Sequence, residues 1–264
     1  MKDLVKKHFD RGASGYSGHA AVQKRIASEL LKETVEYVTG KGLVSPMPDG
    51  CLFSRCLDLG CGPGINYPEL KRYSQSITGI DISPKMIEEA SRLEIPGTES
   101  LVADMERLSL PGKYDFIYSS LAMQWCNAPE VMMNLNDLKT ADRNCTVAVS
   151  VPAAGTLKEL REALEAVGAG NRTRMFPGFA ETEEAAYKAF GKNISVRERI
   201  FTDRHQDIKS YLGAIKDIGA NTASQPKTMS KSQYTELMLY LQKRLTAGGY
   251  LCHTYPVVFI YGVI

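Results

Sequence analysis

The chain has 264 residues, 44% of them hydrophobic, with a formal charge of only +2. That is enough chain for one substantial core, and so small a net charge exerts no whole-chain pull toward nucleic acid. Met1–His8 lacks the apolar run of a signal peptide and no stretch approaches the ~18 apolar residues of a membrane helix. A cytoplasmic protein with neither membrane nor nucleic-acid partner is expected. The six cysteines form no Cys-x-x-Cys pair and the four histidines are scattered, so reduced thiols and no metal site are expected.

Residues 19–38 read as a helix, because Val22, Ile26, Leu30 and Thr34 repeat at i+4 beside Leu31, Val35 and Val38. Gly40 to Gly50 is loop-like. Strands are expected near 52–59, 77–81, 100–103, 114–119 and 146–151, with helices near 66–73 and 84–92. Ser83 suits the N-cap of the second of these and Pro84 its first turn. Later, Leu157, Leu160, Leu164 and Val167 mark an amphipathic helix, 168–178 a loop and 194–201 a strand. Two helices joined by a polar loop at 221–230 fill 205–245, and an apolar strand closes the chain at 257–264. Strands and helices alternating at these lengths predict an α/β fold with a doubly wound, mostly parallel sheet.

The densest signal is Leu57-Asp58-Leu59-Gly60-Cys61-Gly62-Pro63-Gly64, with Asp81 closing the next apolar run 21 residues after Gly60. Glycines there let backbone approach a ligand, and the later carboxylate accepts from ribose hydroxyls. A dinucleotide fingerprint would place its third glycine at position 65, which is Ile65. Pro63 removes a backbone donor that a phosphate cradle would use. The absence of Gly-Lys-Ser/Thr excludes a P-loop. Further on, Asp104-Met105 follows the third strand and Ser119-Ser120-Leu121-Ala122-Met123-Gln124-Trp125-Cys126 the fourth. Trp125 either packs the core or lines a site. Tyr16, His19 and Gln23 share one helical face, either solvated or closing over a ligand.

The Asp-x-Gly-x-Gly-x-Gly spacing resembles motif I of the class I S-adenosylmethionine methyltransferases. Over its whole length the chain resembles the malonyl-acyl-carrier-protein O-methyltransferase family of biotin synthesis. The matching pieces include Phe9-x-Arg11, Tyr16-x-x-His19-Ala20-x-x-Gln23, the Leu57–Gly64 loop and Ile80-Asp81-Ile82-Ser83-Pro84-x-Met86. They continue with Ser119–Cys126, Ile215-Lys216-x-Ile218-Gly219-Ala220, Leu237 and Gly262-Val263-Ile264. Lys139–Asn144 departs from the Arg-Pro-Gly-Gly turn common in class I enzymes.

This resemblance implies a seven-stranded Rossmann-like sheet forming one domain. Residues 1–50 would be a cap, 51–152 the cofactor half, 153–193 and 202–250 substrate-side helices, and 194–201 and 255–264 late strands. It implies S-adenosylmethionine as cofactor and S-adenosylhomocysteine as product, held by Gln23, Asp58, Gly60, Cys61, Gly62, Gly64, Asp81, Ile82, Met86, Asp104, Met105, Ser119 and Leu121. The substrate it implies is the free carboxylate of malonyl on acyl carrier protein, with Tyr16 and Arg174 as catalytic-site residues. Arg suits a carboxylate because its fork is complementary to it. Candidate basic faces for the carrier are Arg197, Arg199, Arg204 and Lys209, or Lys227, Lys231, Lys243 and Arg244. The competing readings are methylation of another small acid and non-catalytic cofactor binding. A nicotinamide oxidoreductase is disfavoured by Gly64 and Ile65.

Overall fold

The computed structural model describes residues 2–3, 5–7, 9–10, 21–108, 110, 112–140, 144–170, 173–217 and 229–264, with 216 and 217 as backbone only. Tyr16, His19, Lys227 and the Ile218–Ala220 part of the family segment lie outside these residues. In chain order the elements are α1 (Ala21–Gly40), β1 (Phe53–Leu59), α2 (Tyr67–Leu70), β2 (Ser74–Asp81), α3 (Pro84–Ser91) and β3 (Thr98–Val102). Then come β4 (Phe116–Ser120), α4 (Ala128–Asn134), β5 (Thr146–Pro152), α5 (Lys158–Ala166) and α6 (Phe179–Phe190). The chain finishes with β6 (Ile194–His205), α7 (Ile208–Asp217), α8 (Lys231–Gly248) and β7 (Leu251–Val263). The described residues from 2 to 10 are helical as well.

Among the described residues, seven strands form one sheet in the order β3-β2-β1-β4-β5-β7-β6. β1 pairs in parallel with β2 and β4, β2 with β3, and β4 with β5. Cys145 and Ile264 exchange both backbone hydrogen bonds, so β7 runs antiparallel to β5. The doubly wound, mostly parallel α/β sheet expected from the sequence is present. β5 is buried at every residue and β4 at all but its last, as strands covered on both faces must be. α1 contributes the buried Val22, Ile26, Leu30, Leu31 and Val38, and the Tyr118 hydroxyl donates to its Ala27 carbonyl at 3.0 Å. Strand order reverses between β1 and β4, the switch point at which open α/β sheets bind ligands beyond their strand ends.

Several boundaries differ from expectation. α2 is a four-residue turn rather than a helix over 66–73, because β2 already starts at Ser74. Ser74-Gln75-Ser76 carries no apolar signal, yet its first and third residues pair with Phe53 and Arg55. Tyr114 makes an isolated bridge to Lys139 instead of opening β4. β7 begins six residues earlier than 257, at Leu251; His253, Thr254 and Pro256 broke its apolar pattern. α6, on Phe179-Ala180-Glu181-Thr182-Glu183, had no expected counterpart.

Contacts divide the chain into two compact units. The first holds Met1–Val151, Gly178–Arg199 and Val258–Ile264. In it, Arg199 donates two hydrogen bonds to the Glu33 carboxylate, at 2.7 and 3.0 Å. That engagement occupies one member of the candidate basic face. The second unit holds Pro152–Pro177 and Ile200–Val257. There α8 starts with a capping box between Ser230 and Gln233 and ends on Gly249 in left-handed backbone. His253, buried, stacks on Tyr211 at 3.9 Å and its Nε2 lies 2.9 Å from the Tyr211 carbonyl. Burial lowers its pKa to about 4, so the imidazole is neutral at physiological pH. Arg161 reaches the Thr173 hydroxyl at 3.3 Å and so ties α5 to the loop that carries Arg174.

Candidate active site

In the first unit a cleft opens at the carboxyl ends of β1, β2, β3 and β4. Gly60 and Gly62 enter its wall from the loop after β1, Asp81 and Ile82 from the end of β2, and Asp104 and Met105 from the end of β3. Leu121, Ala122, Trp125 and Cys126 enter from the segment after β4, and Met86 from α3. The three loop glycines all have left-handed backbone. At Gly60 the requirement is twofold: φ is +71°, and an added Cβ would lie 2.3 Å from the Ala122 Cβ. The glycine loop is thus in direct contact with the turn after β4.

Asp81 is held rather than free to swing. Its Oδ1 accepts from the Ser83 amide at 2.8 Å and its Oδ2 from the Gly62 amide at 3.1 Å. Ser83 is the N-cap of α3, as its position predicted, and its hydroxyl also donates to Asp10 at 2.6 Å. Burial pushes the Asp81 pKa up to about 6, against the pull of the two amides. Asp104 accepts from the Glu106 amide at 3.0 Å, and Lys2 pairs with both Asp104 and Glu106. Burial alone would raise the Asp104 pKa, but Lys2 and the Glu106 amide outweigh it and leave it lowered.

Asp58 is a different kind of group. It is 1% exposed and neither carboxylate oxygen has a partner among the described residues. Burial, with the nearby Asp81 charge, raises its pKa to about 8. Its folded pKa lies above the ordinary 3.8, so the folded state holds the proton more tightly. Stability from this group is therefore present at acid pH and lost as pH rises through about 8. Asp58→Asn cannot ionise, so its advantage over wild type grows with pH. Thermal scans at pH 5 and pH 9 are expected to show the gap widening by at least about 3 °C. A gap independent of pH would contradict this.

The structure brings Gly60, Gly62, Asp81, Ile82, Met86, Asp104, Met105 and Leu121 to one cleft wall. Asp58, Cys61, Ser119 and Gln23 are buried close to the loop or on α1 and do not form the wall. The Ser119 hydroxyl donates to the Leu59 carbonyl at 3.0 Å and so ties β4 to β1. Gly64 packs by Tyr67 and Leu93. Trp125 is on the wall, with its ring edge-to-face with Phe9 at 5.5 Å. The residues missed from sequence are Lys2, Val5 and Phe9, which line the cleft from the N-terminal helical residues. Their i, i+3, i+7 spacing puts them on one helical face, which with the Phe9-x-Arg11 match was the signal available beforehand. Arg174 belongs to the second unit.

Comparison with known proteins agrees with this geometry. A family model described as a methyltransferase domain matches residues 57–136, which include the glycine loop, Asp81, Asp104 and the segment after β4. The malonyl-acyl-carrier-protein O-methyltransferase of Herminiimonas arsenicoxydans is 26% identical over 98% of this chain and 95% of its own. The malonyl-acyl-carrier-protein O-methyltransferase 1 of Ilyobacter polytropus is 30% identical over 89% of this chain and 85% of its own. The chain belongs to the malonyl-acyl-carrier-protein O-methyltransferase family. Membership makes it an O-methyltransferase. The fold has its counterpart in the magnesium protoporphyrin IX methyltransferase of Synechocystis PCC 6803, crystallised with S-adenosylhomocysteine. That structure has a TM-score of 0.56 at 16% identity, covering 98% of this chain and 99% of the other.

The wall fits the methyl donor such a family uses. Anionic acceptors at Asp81 and Asp104 suit ribose hydroxyls and an exocyclic amine. Met86, Met105, Leu121 and Trp125 offer apolar and aromatic surface to a purine. The unpartnered buried oxygens of Asp58 leave acceptor capacity beneath the loop for a cationic tail. Among the described residues no cluster could hold a metal ion, and no helix is long and apolar enough to cross a membrane.

Proposed function

We propose that the chain methylates the free carboxylate of malonyl carried as a thioester on acyl carrier protein. S-adenosylmethionine is the donor and S-adenosylhomocysteine the product, in an early cytoplasmic step of biotin synthesis. The observation that carries this reading is the cleft wall. It gathers carboxylate acceptors from two strand ends, Asp81 and Asp104, beside apolar surface, and contains no histidine among its described residues.

That composition suits a carboxylate acceptor. A carboxyl group of pKa about 4 is already ionised at neutral pH and needs no general base. The bound donor supplies a methyl group activated by its sulfonium. What the chain supplies is alignment, worth up to about 7–11 kcal/mol in well-oriented systems. Asp81 is assigned to the ribose hydroxyls, and Asp104 with Met105 to the adenine edge. Gly60, Cys61, Gly62 and Gly64 shape the floor, with Asp58 beneath them. Ile82, Met86 and Leu121 complete the donor's surroundings, and Ser119, buried, ties β4 to β1 behind them. Lys2 pairs with both Asp104 and Glu106 and so offsets part of the negative charge on that side of the cleft.

Arg174 is assigned to hold one carboxylate oxygen and leave the other as nucleophile, and Tyr16 to hold an oxygen or pack against the methyl group. Arg174→Ala is expected to lower kcat/KM for malonyl carrier protein at least tenfold, since a charge-assisted hydrogen bond contributes about 1.5–3 kcal/mol. Calorimetry should find its affinity for S-adenosylhomocysteine within about twofold of wild type, as a purely acceptor-side contact requires. Unchanged turnover removes Arg174 from the site. Substrate class is tested by comparing malonyl carrier protein with free malonate under identical conditions. Equal turnover of the two would favour a small-acid methyltransferase instead.

A further inference from the structure

The segment after β4 contains a conformation that its sequence does not favour. Leu121 has φ +50°, left-handed backbone that side chains other than glycine rarely adopt. It sits on the cleft wall, and its neighbour Ala122 is the residue whose Cβ excludes any side chain at position 60. A relaxed turn here would move the surface on which the glycine loop rests.

Two side chains hold that turn. Gln124 Nε2 donates to the Leu121 carbonyl at 2.7 Å. From the other side, Ser150 on β5 accepts the Leu121 amide on both its carbonyl, at 3.0 Å, and its hydroxyl, at 3.2 Å. The Ser150 hydroxyl also lies 3.1 Å from the Ser120 hydroxyl, which fixes its direction. Gln124 maintains its half of the clamp at a cost, because its Oε1 is buried without a partner among the described residues. An apolar side chain of the same length would fill the space without that penalty. The amide's usefulness therefore lies in the bond to Leu121.

We infer that Gln124 is a positioning residue, which holds Leu121 in left-handed backbone and so sets the donor-side wall against the glycine loop. The inference deepens the proposed methyl transfer and rests on that reading for its kinetic consequence only.

The test uses the full chain with Gln124→Met, Leu121→Gly and the double variant. Gln124→Met removes the donor and the orphaned acceptor together, so its thermal midpoint should stay at or above the wild-type value. Its kcat with malonyl carrier protein should nevertheless fall about tenfold or more, with KM for the carrier unchanged. Glycine adopts left-handed backbone freely, so in the Leu121→Gly background the same change should cost less than about twofold. S-adenosylhomocysteine affinity, read from the fluorescence of Trp125, the sole tryptophan in the chain, should show the same dependence on residue 121. A loss of equal size in both backgrounds, or no loss in either, overturns the inference. Absence of methyl transfer by the wild type would overturn the substrate reading instead, and the fluorescence titration still decides the role of Gln124. Should Gln124→Met not fold, Ser150→Ala removes the hydroxyl contact from the other side of the clamp, leaving the carbonyl bond, and must show a smaller loss with the same dependence on residue 121.

Discussion

Asp81→Ala is expected to weaken binding of S-adenosylmethionine and S-adenosylhomocysteine by about the same factor, roughly 100-fold or more. The size follows from two hydrogen bonds to a charged acceptor, at about 1.5–3 kcal/mol each. The equality follows from the ribose, which donor and product share. The carboxylate is also well suited to the role by its anchoring, since the amides of Gly62 and Ser83 fix one lone pair on each oxygen and leave the others available. The pKa near 6 adds a pH signature. Protonation removes an acceptor, so affinity should fall as pH drops through about 6 and should hold above it. The variant should lose that inflection. Isothermal titration at pH 5 and 7.5 checks both points, and unchanged affinity at pH 7.5 would contradict the ribose assignment.

Gly60→Ala should be more disruptive than its size suggests. Its Cβ would come within 2.3 Å of the Ala122 Cβ and 3.2 Å of the Met105 Cε, at a φ of +71°. Left-handed strain and overpacking together cost about 2–5 kcal/mol. A fall of roughly 5–15 °C in thermal midpoint is expected for a chain of this length. Donor binding should be lost along with it, because both displaced groups belong to the cleft wall. Gly62 provides the comparison, since a Cβ there meets nothing within 4 Å despite a φ of +55°. Gly62→Ala should suffer the backbone strain alone, and Ala122→Gly should partly rescue Gly60→Ala. Equal midpoints for the two alanine variants would show that the contact with Ala122 is not what sets the loop.

What the sequence made legible was whatever depends on local spacing. Leu57–Gly64 and Asp81 announced themselves because one loop and one strand end fix their interval. Ser83-Pro84 announced a helix start because capping is a local requirement. Trp125 was ambiguous in sequence, since an aromatic after a strand serves a core or a site equally well. The contributions of Lys2, Val5 and Phe9 depend on a helix folding back from 50 or more residues away, which no short pattern records. Gln124 and Ser150 were silent for a related reason. Their significance comes from the backbone angle of Leu121, and no side-chain pattern encodes that angle. The polar start of β2 and the Pro256-bearing β7 were hidden because pairing with neighbours, rather than hydrophobic alternation, makes them strands.

Carboxylate methylation in this cleft is tested most directly by one assay. Malonyl carrier protein is incubated with the enzyme and S-adenosylmethionine labelled in its methyl group, and the carrier is then recovered and treated with mild base. Label is expected on the carrier and released as methanol, at a rate that Asp81→Ala abolishes at low donor concentration. Carrier without label, or label that resists base, would contradict it.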